Sequence, residues 1–207
     1  MDATLYVASG NAGKLRDFAV AARVFQFDVV PLPGLRDIPA PAEDGLTFEN
    51  NARLKAVYYS GFAPDLLVIG DDSGLEVDAL HGEPGVRSAR FAEDAGFAVD
   101  GVTDVDARNN LYLMQRLGSQ GGASKAARYR CVIAAARNRE ILTTAEGSVE
   151  GEILRKPRGS GGFGYDPLFY LPGLGKTMAE VDLEQKQLLS HRGKAFAALL
   201  KKMRNGI

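Results

Sequence analysis

Leu66-Leu67-Val68-Ile69-Gly70-Asp71-Asp72-Ser73-Gly74 decides the fold. A short apolar run closed by acidic and glycine residues, Leu66 to Gly70, reads as a strand buried on both faces. Such strands belong to sheets covered by helices. Asp71 and Asp72 follow at the strand's end, where open α/β sheets place their ligands. Adjacent residues of an extended chain point to opposite faces, so the two carboxylates cannot share one task. One is expected to face a site, while the other holds the local backbone. Read alone, the pair is equally an acidic turn.

Upstream, Leu5-Tyr6-Val7-Ala8 reads as a first buried strand. It passes through Ser9-Gly10-Asn11-Ala12-Gly13 into a helix that starts at Lys14, with Leu15, Phe18 and Ala22 on one face. Phe27 to Pro31 reads as a second strand, and the four prolines between Pro31 and Pro41 mark a loop. Thr47 is an N-cap for a helix running to about Tyr59, with Asn50 at a weak capping-box position. Downstream, Leu75 to Leu80 reads as a further strand, His81 to Gly85 as a turn and Val105 to Leu117 as a helix. Gly118 to Ser124 reads as a flexible connector. Arg128 to Ala136 and Leu142 to Glu150 read as a hairpin around Asn138, and Pro167 to Leu171 as a short strand. Ser190 caps a last helix with Ala195, Ala198, Leu199 and Met203 on its apolar face. The alternation predicts one α/β domain over residues 1–207, a mixed sheet flanked by helices.

The 207 residues are 45% hydrophobic, enough for a sizeable core, and the formal net charge is −1. That balance gives no sign of nucleic-acid or membrane partners, so a phosphate site must be built locally. The one cysteine, Cys131, lies in an apolar run and reads as a buried hydrophobe. Met1-Asp2-Ala3-Thr4 has no basic leader, and no apolar run approaches the about 20 residues of a membrane span. The expectation is a soluble cytoplasmic protein.

Four stretches carry chemistry. Ser9-Gly10-Asn11-Ala12-Gly13-Lys14 turns from a strand into a helix, where backbone N–H groups, the helix dipole and the lysine suit a phosphate. It lacks P-loop spacing and alone is equally a tight turn with a solvated lysine. Asp71-Asp72 offers oxygen ligands of the kind Mg²⁺ takes together with substrate phosphates. Gly159 to Pro167 holds four glycines within residues 159–164, which permits close backbone approach to a flat ligand. There Phe163 and Tyr165 are candidates to stack on a base, and Asp166 to accept or position a hydrogen bond. Lys186, His191 and Arg192 gather donors before the last helix, suited to a carbonyl on a base. With two histidines and one cysteine, a zinc hydrolase is disfavoured.

In this order the stretches resemble the inosine/xanthosine triphosphate pyrophosphatase family, the Ham1-like hydrolases of non-standard purine nucleoside triphosphates. The matching pieces are Ser9-Gly10-Asn11-x-x-Lys14-Leu15, Thr47-Phe48-x-x-Asn51-Ala52-x-x-Lys55-Ala56 and Asp71-Asp72-Ser73-Gly74-Leu75. Ser88-Ala89-Arg90-Phe91, Gly161-Gly162-Phe163-Gly164-Tyr165-Asp166-Pro167 and Ser190-His191-Arg192 complete the set. The resemblance implies an elongated mixed α/β fold of two lobes with a central cleft, and a homodimer. It implies that ITP, dITP and XTP are cut to the monophosphate and pyrophosphate. Ser9, Gly10, Asn11, Ala12, Gly13 and Lys14 would hold the triphosphate, and Lys55 would reach toward it. Asp72 would be the catalytic acid and a Mg²⁺ ligand, and Ser73 would touch substrate. Phe163, Gly164, Tyr165, Asp166, Lys186, His191 and Arg192 would form the base pocket, with Arg90 as a further cation. Where the family often has an acid before the Asn-Ala pair, this chain has Asn50; Glu43 is then the expected second metal ligand.

Three other readings are compatible with parts of the pattern. A phosphoribosyltransferase also sets paired acids after a buried strand, but Leu75 to Ala79 offers no phosphate loop. A septum-associated pyrimidine triphosphate pyrophosphatase lacks the Gly-Phe-Gly-Tyr-Asp-Pro stretch. A nucleotide sensor without turnover is disfavoured by Asp72 and the two lysines.

Overall fold

The computed structural model describes residues 4–118 and 125–205. Residues 1–3 of the N-terminal reading, and all of the Gly118 to Ser124 connector after Gly118, lie outside the described residues. In chain order the elements are β1 (Thr4–Val7), α1 (Ala12–Val24), β2 (Asp28–Pro31), α2 (Phe48–Ser60), β3 (Val68–Val77), α3 (Phe91–Asp94) and α4 (Val105–Gly118). Then come β4 (Ala126–Arg137), β5 (Glu140–Ile153), β6 (Phe169–Leu171), β7 (Lys176–Thr177), α5 (Leu183–Leu189) and α6 (His191–Arg204). Short 3-10 turns occupy Leu35–Asp37, Asp78–Leu80 and Gly85–Arg90.

The strands form a mixed sheet in the order β2-β1-β3-β4-β5-β6-β7. β1 runs parallel to β2 and β3, whereas β6 is antiparallel to β5 and β7. The chain divides into two compact units: Met1–Ser73 with Arg130–Ser148 and Leu183–Ile207, and Gly74–Tyr129 with Val149–Asp182. Three of the four boundaries fall inside β3, β4 and β5, and the fourth falls just before α5.

In the first unit, α1 and α6 cover one sheet face. Leu5, Val7, Ile69, Cys131, Ile133 and Ala145 pack there with Phe18, Ala22, Ala195, Phe196, Leu199 and Leu200. Phe18 and Phe196 meet with ring centroids 5.0 Å apart, and each fully buried ring contributes about 1.5–3 kcal/mol relative to exposure. The expected faces of both helices are thus the buried ones. Burial also pushes the Cys131 thiol pKa up, which keeps it an inert hydrophobe. On the other face Ala8, Leu32 and Val68 meet Tyr59 of α2. Gly70 lets α2 come close: a Cβ there would lie 2.6 Å from Ala56 N and 2.8 Å from Ala52 O. The second unit has its own core, in which Leu75, Val77, Phe91, Leu113, Tyr129, Tyr165 and Phe169 are buried.

Three expectations change. Leu66 to Gly70 and Leu75 to Leu80 are not two strands: Val68–Val77 is continuous, and Asp78–Leu80 turns into a 3-10 helix. Asp71 and Asp72 therefore lie in mid-strand rather than at a strand end. α1 starts at Ala12, two residues before Lys14, because Asn11 caps it. The strand expected over Pro167 to Leu171 is confined to Phe169–Leu171. The caps at Thr47 and Ser190 are as expected, with each hydroxyl accepting a backbone N–H three residues on. Asn138 and Arg139 take positive φ in the β4–β5 turn.

Candidate active site

The alternation of β3 separates the two acids. Asp71 shares the face of Ile69, toward α1 and α6; Asp72 shares the face of Gly70, toward α2. Each meets a lysine from a different helix. Lys14 Nζ lies 2.8 Å from Asp71 Oδ2. Lys55 Nζ lies 3.6 Å from Asp72 Oδ1 and 2.8 Å from Glu43 Oε2. Asp71, the acid expected to hold the local backbone, instead pairs with Lys14. Asp72 does bind backbone, accepting from Ser73 N at 3.0 Å.

Burial acts on these groups unequally. It raises the Asp71 pKa, but Lys14, Lys55 and Arg192 outweigh it and hold this carboxyl below its ordinary range. At Asp72 burial prevails over Lys55 and the Asn51 hydrogen bond, and Glu43 adds to it, so this carboxyl is pushed up. Burial alone would lower Lys55; Asp71, Asp72 and Glu43 reverse this and keep the ammonium charged. The site thus joins a firmly ionised acid, a second acid of raised basicity and two lysines.

The turn before α1 is already engaged. Asn11 Oδ1 accepts from Gly13 N at 2.8 Å and Lys14 N at 3.1 Å, and Asn11 N donates to Ser9 Oγ at 3.2 Å. The two amides that sequence reading left open to an anion are capped by a side-chain oxygen. Ser9, Gly10, Asn11 and Ala12 stand around them, and Gly10 and Asn11 are exposed.

Lys186, His191 and Arg192 are buried in the same unit. Gly147 admits the start of α6 against β5, since a Cβ there would lie 2.5 Å from His191 O. Burial lowers the His191 pKa well below 6.5, and Arg192, Lys186, Lys14 and Lys194 lower it further. Its ring is therefore neutral, with one donor and one acceptor nitrogen. Of the expected donor pair, only Arg192 is donor-only. Arg192 donates to Ser73 Oγ at 3.1 Å and lies 3.7 Å from Asp17 Oδ2.

The remaining expected residues belong to the second unit. Arg90 pairs with Asp94 at 3.5 Å. Tyr165 departs from the expectation: the residue is 4% exposed, lies in the core and donates its hydroxyl to Ser88 O at 2.8 Å. Its stacking role is lost to packing, and Phe163, half-buried, is the remaining aromatic candidate. Asp166 is buried and shapes the loop: Oδ2 accepts from Phe163 N at 3.0 Å and Oδ1 from Tyr129 Oη at 3.3 Å. Gly164 is fixed from both sides, its N–H by Asp106 at 2.6 Å and its carbonyl by Asn110 at 2.9 Å.

Sequence reasoning gave no role to Asp17 or Asn51. Asp17 stands one turn after Lys14 on α1, and Asn51 one turn before Lys55 on α2. That i, i+3 or i, i+4 spacing from an expected site lysine was the available signal.

Residues 5–202 match the Ham1 family. This chain belongs to the Ham1 family. It is 58% identical over 203 residues to a dITP/XTP pyrophosphatase of Acidobacterium capsulatum, covering 98% of this chain and 99% of that protein. It is 44% identical over 200 residues to a dITP/XTP pyrophosphatase of Thermus thermophilus, covering 97% and 91%. Among solved structures, a Ham1 protein from Coxiella burnetii aligns with a TM-score of 0.83 at 34% identity, over 99% of this chain and 100% of that one. The Staphylococcus aureus Ham1 protein gives 0.80 at 38%, with the same coverage. As a Ham1 protein the chain has the expected α/β fold, and the phosphoribosyltransferase alternative falls away.

Proposed function

We propose that this Ham1 protein hydrolyses non-standard purine nucleoside triphosphates, dITP and XTP among them, to the monophosphate and pyrophosphate. The observation that supports this most is the convergence of Lys14, Lys55, Asp71 and Asp72 on β3, in a chain 58% identical to a dITP/XTP pyrophosphatase.

Lys14 and Lys55 grip the polyphosphate, whose roughly four negative charges need cations. An ammonium has three donors, so Lys14 can keep Asp71 and still meet a phosphate oxygen. Asp72 accepts the proton of the attacking water, its carboxylate fixed beside Lys55 by the Asn51 amide and Ser73 N. Water oxygen bonds to the α-phosphorus, the bond from that phosphorus to the α–β bridging oxygen breaks, and pyrophosphate leaves with the electron pair.

Asp72 and Glu43 would hold Mg²⁺. The fit rests on their convergence at one cation, the Lys55 ammonium. No group of three or more His, Cys, Asp or Glu suited to a metal occurs among the described residues. Two carboxylates plus substrate phosphates is the set with which Mg²⁺ is commonly bound. When bound, the metal supplies positive charge to the polyphosphate.

Arg192, neutral His191 and Lys186 are proposed to read the 6-oxo group of the base. Donors left unpaired against the adenine amino group cost about 1–3 kcal/mol each. The reading extends to a homodimer, which the resemblance implies and sedimentation tests, and to a cytoplasmic location. No helix among the described residues is long and apolar enough to cross a membrane. Pyrophosphate release with Mg²⁺ from dITP, XTP, GTP and ATP tests the selectivity: fast release from the first two and slow release from ATP is expected, and equal rates on dITP and ATP refute it.

A further inference from the structure

We propose that Asn51 is the positioning residue of the acid site, its side-chain amide fixing the Asp72 carboxylate and, through Gly45, the loop that bears Glu43. The inference rests on the proposed pyrophosphatase reading for its kinetic consequence and on geometry alone for the contact.

Asn51 is 1% exposed and polar, so its amide must be satisfied inside the protein. Both ends are used. Nδ2 donates to Asp72 Oδ2 at 3.0 Å, and Oδ1 accepts from Gly45 N at 2.8 Å. The chemistry sets the amide's orientation, because a backbone N–H needs the oxygen and a carboxylate needs the nitrogen. With Oδ2 held by Asn51 and Oδ1 by Ser73 N, the Asp72 carboxylate has one orientation, beside Lys55.

The same residue acts on the other acid. Gly45 is two residues from Glu43, and a Cβ on Gly45 would lie 2.5 Å from Asn51 Oδ1. The loop therefore seats directly on the amide, and Glu43 reaches Lys55 from there. Asn51 and Lys55 lie one turn apart on α2, so one helix face orients Asp72 and also presents the lysine. Aspartate at 51 would keep the acceptor for Gly45 but replace the donor with an oxygen facing Asp72. Alanine would lose both contacts.

The pair Asn51→Asp and Asn51→Ala separates orientation of Asp72 from loop anchoring. With dITP and Mg²⁺, kcat is expected to fall about 10- to 100-fold in both, a typical loss for outer partners of a site, while KM stays within about threefold. Retention of most of kcat by Asn51→Asp, or a loss expressed in KM alone, overturns the proposal. A second measurement needs neither of the Asn51 variants and no turnover. In the metal-free wild type the Asn51 side-chain amide protons should exchange slowly with solvent, and this protection should vanish in Asp72→Ala. Fast exchange in the wild type, or protection unchanged in Asp72→Ala, overturns the contact. Should the wild type release no pyrophosphate from dITP, the functional reading fails, and amide exchange decides on Asn51 by itself.

Discussion

Lys14 Nζ stands 2.8 Å from Asp71 Oδ2, and the acid is buried while the lysine keeps some access to solvent. The pair thus presents a cation that is oriented but not consumed. Lys14→Met should leave a buried carboxylate short of its main partner and destabilise the protein by about 3 kcal/mol at neutral pH. The folded Asp71 pKa lies below the ordinary 3.8, so its stabilisation is present above pH 3.8 and lost as pH falls further. In the variant that pKa rises. The stability gap measured by urea unfolding should therefore be widest near neutrality and narrow in acid. KM for the triphosphate should rise about tenfold or more.

Asp72 behaves in the opposite sense. Its folded pKa is raised, so protonation favours the fold, and the ionised form at neutral pH is a net cost. Asp72→Asn should leave the thermal midpoint of the metal-free protein unchanged or higher, yet lower kcat by about 10²–10⁴-fold. Loss of both stability and activity would make Asp72 structural.

Gly70 separates helix placement from chemistry. Gly70→Ala sets a methyl group 2.6 Å from Ala56 N, against backbone that cannot swing aside. Overpacking of this kind costs about 1–3 kcal/mol. It should also lift α2, with Asn51 and Lys55, away from Asp72. A lower thermal midpoint together with a lower kcat is expected; a lower midpoint with wild-type kcat would uncouple α2 from the reaction.

His191 makes an acid-sensitive contribution. Its folded pKa is depressed well below 6.5, so the unfolded chain binds that proton first as pH falls. The stability it allows is complete above pH 6.5 and erodes below, by up to about 1.4 kcal/mol per pH unit. Urea unfolding of His191→Asn should show a shallower loss between neutrality and pH 5 than the wild type.

Helices α1, α2, α4 and α6, and the buried faces of α1 and α6, were legible in the sequence because caps and apolar spacing are local; the short helices α3 and α5 were not. Thr47, Ser190, Phe18 and Leu199 all stand where short-range patterns put them. β3 was not, since Asp71-Asp72-Ser73-Gly74 has the composition of a turn. It stays extended because Lys14, Lys55 and Asn51 satisfy the two acids, and such partners are invisible to a local window. Tyr165 shows the same limit at the site: glycines around an aromatic suggested a ligand wall, but the ring fills the core and its hydroxyl finds Ser88 O. The Arg192–Ser73 contact, across 119 residues of chain, likewise required the fold.

The central claim is that water attacks the α-phosphorus while Asp72 accepts its proton. Hydrolysis of dITP in ¹⁸O-water, with mass spectrometry of the products, tests it most directly. The label should enter the deoxynucleoside monophosphate and leave the pyrophosphate unlabelled; label in pyrophosphate, or release of orthophosphate as first product, would contradict it.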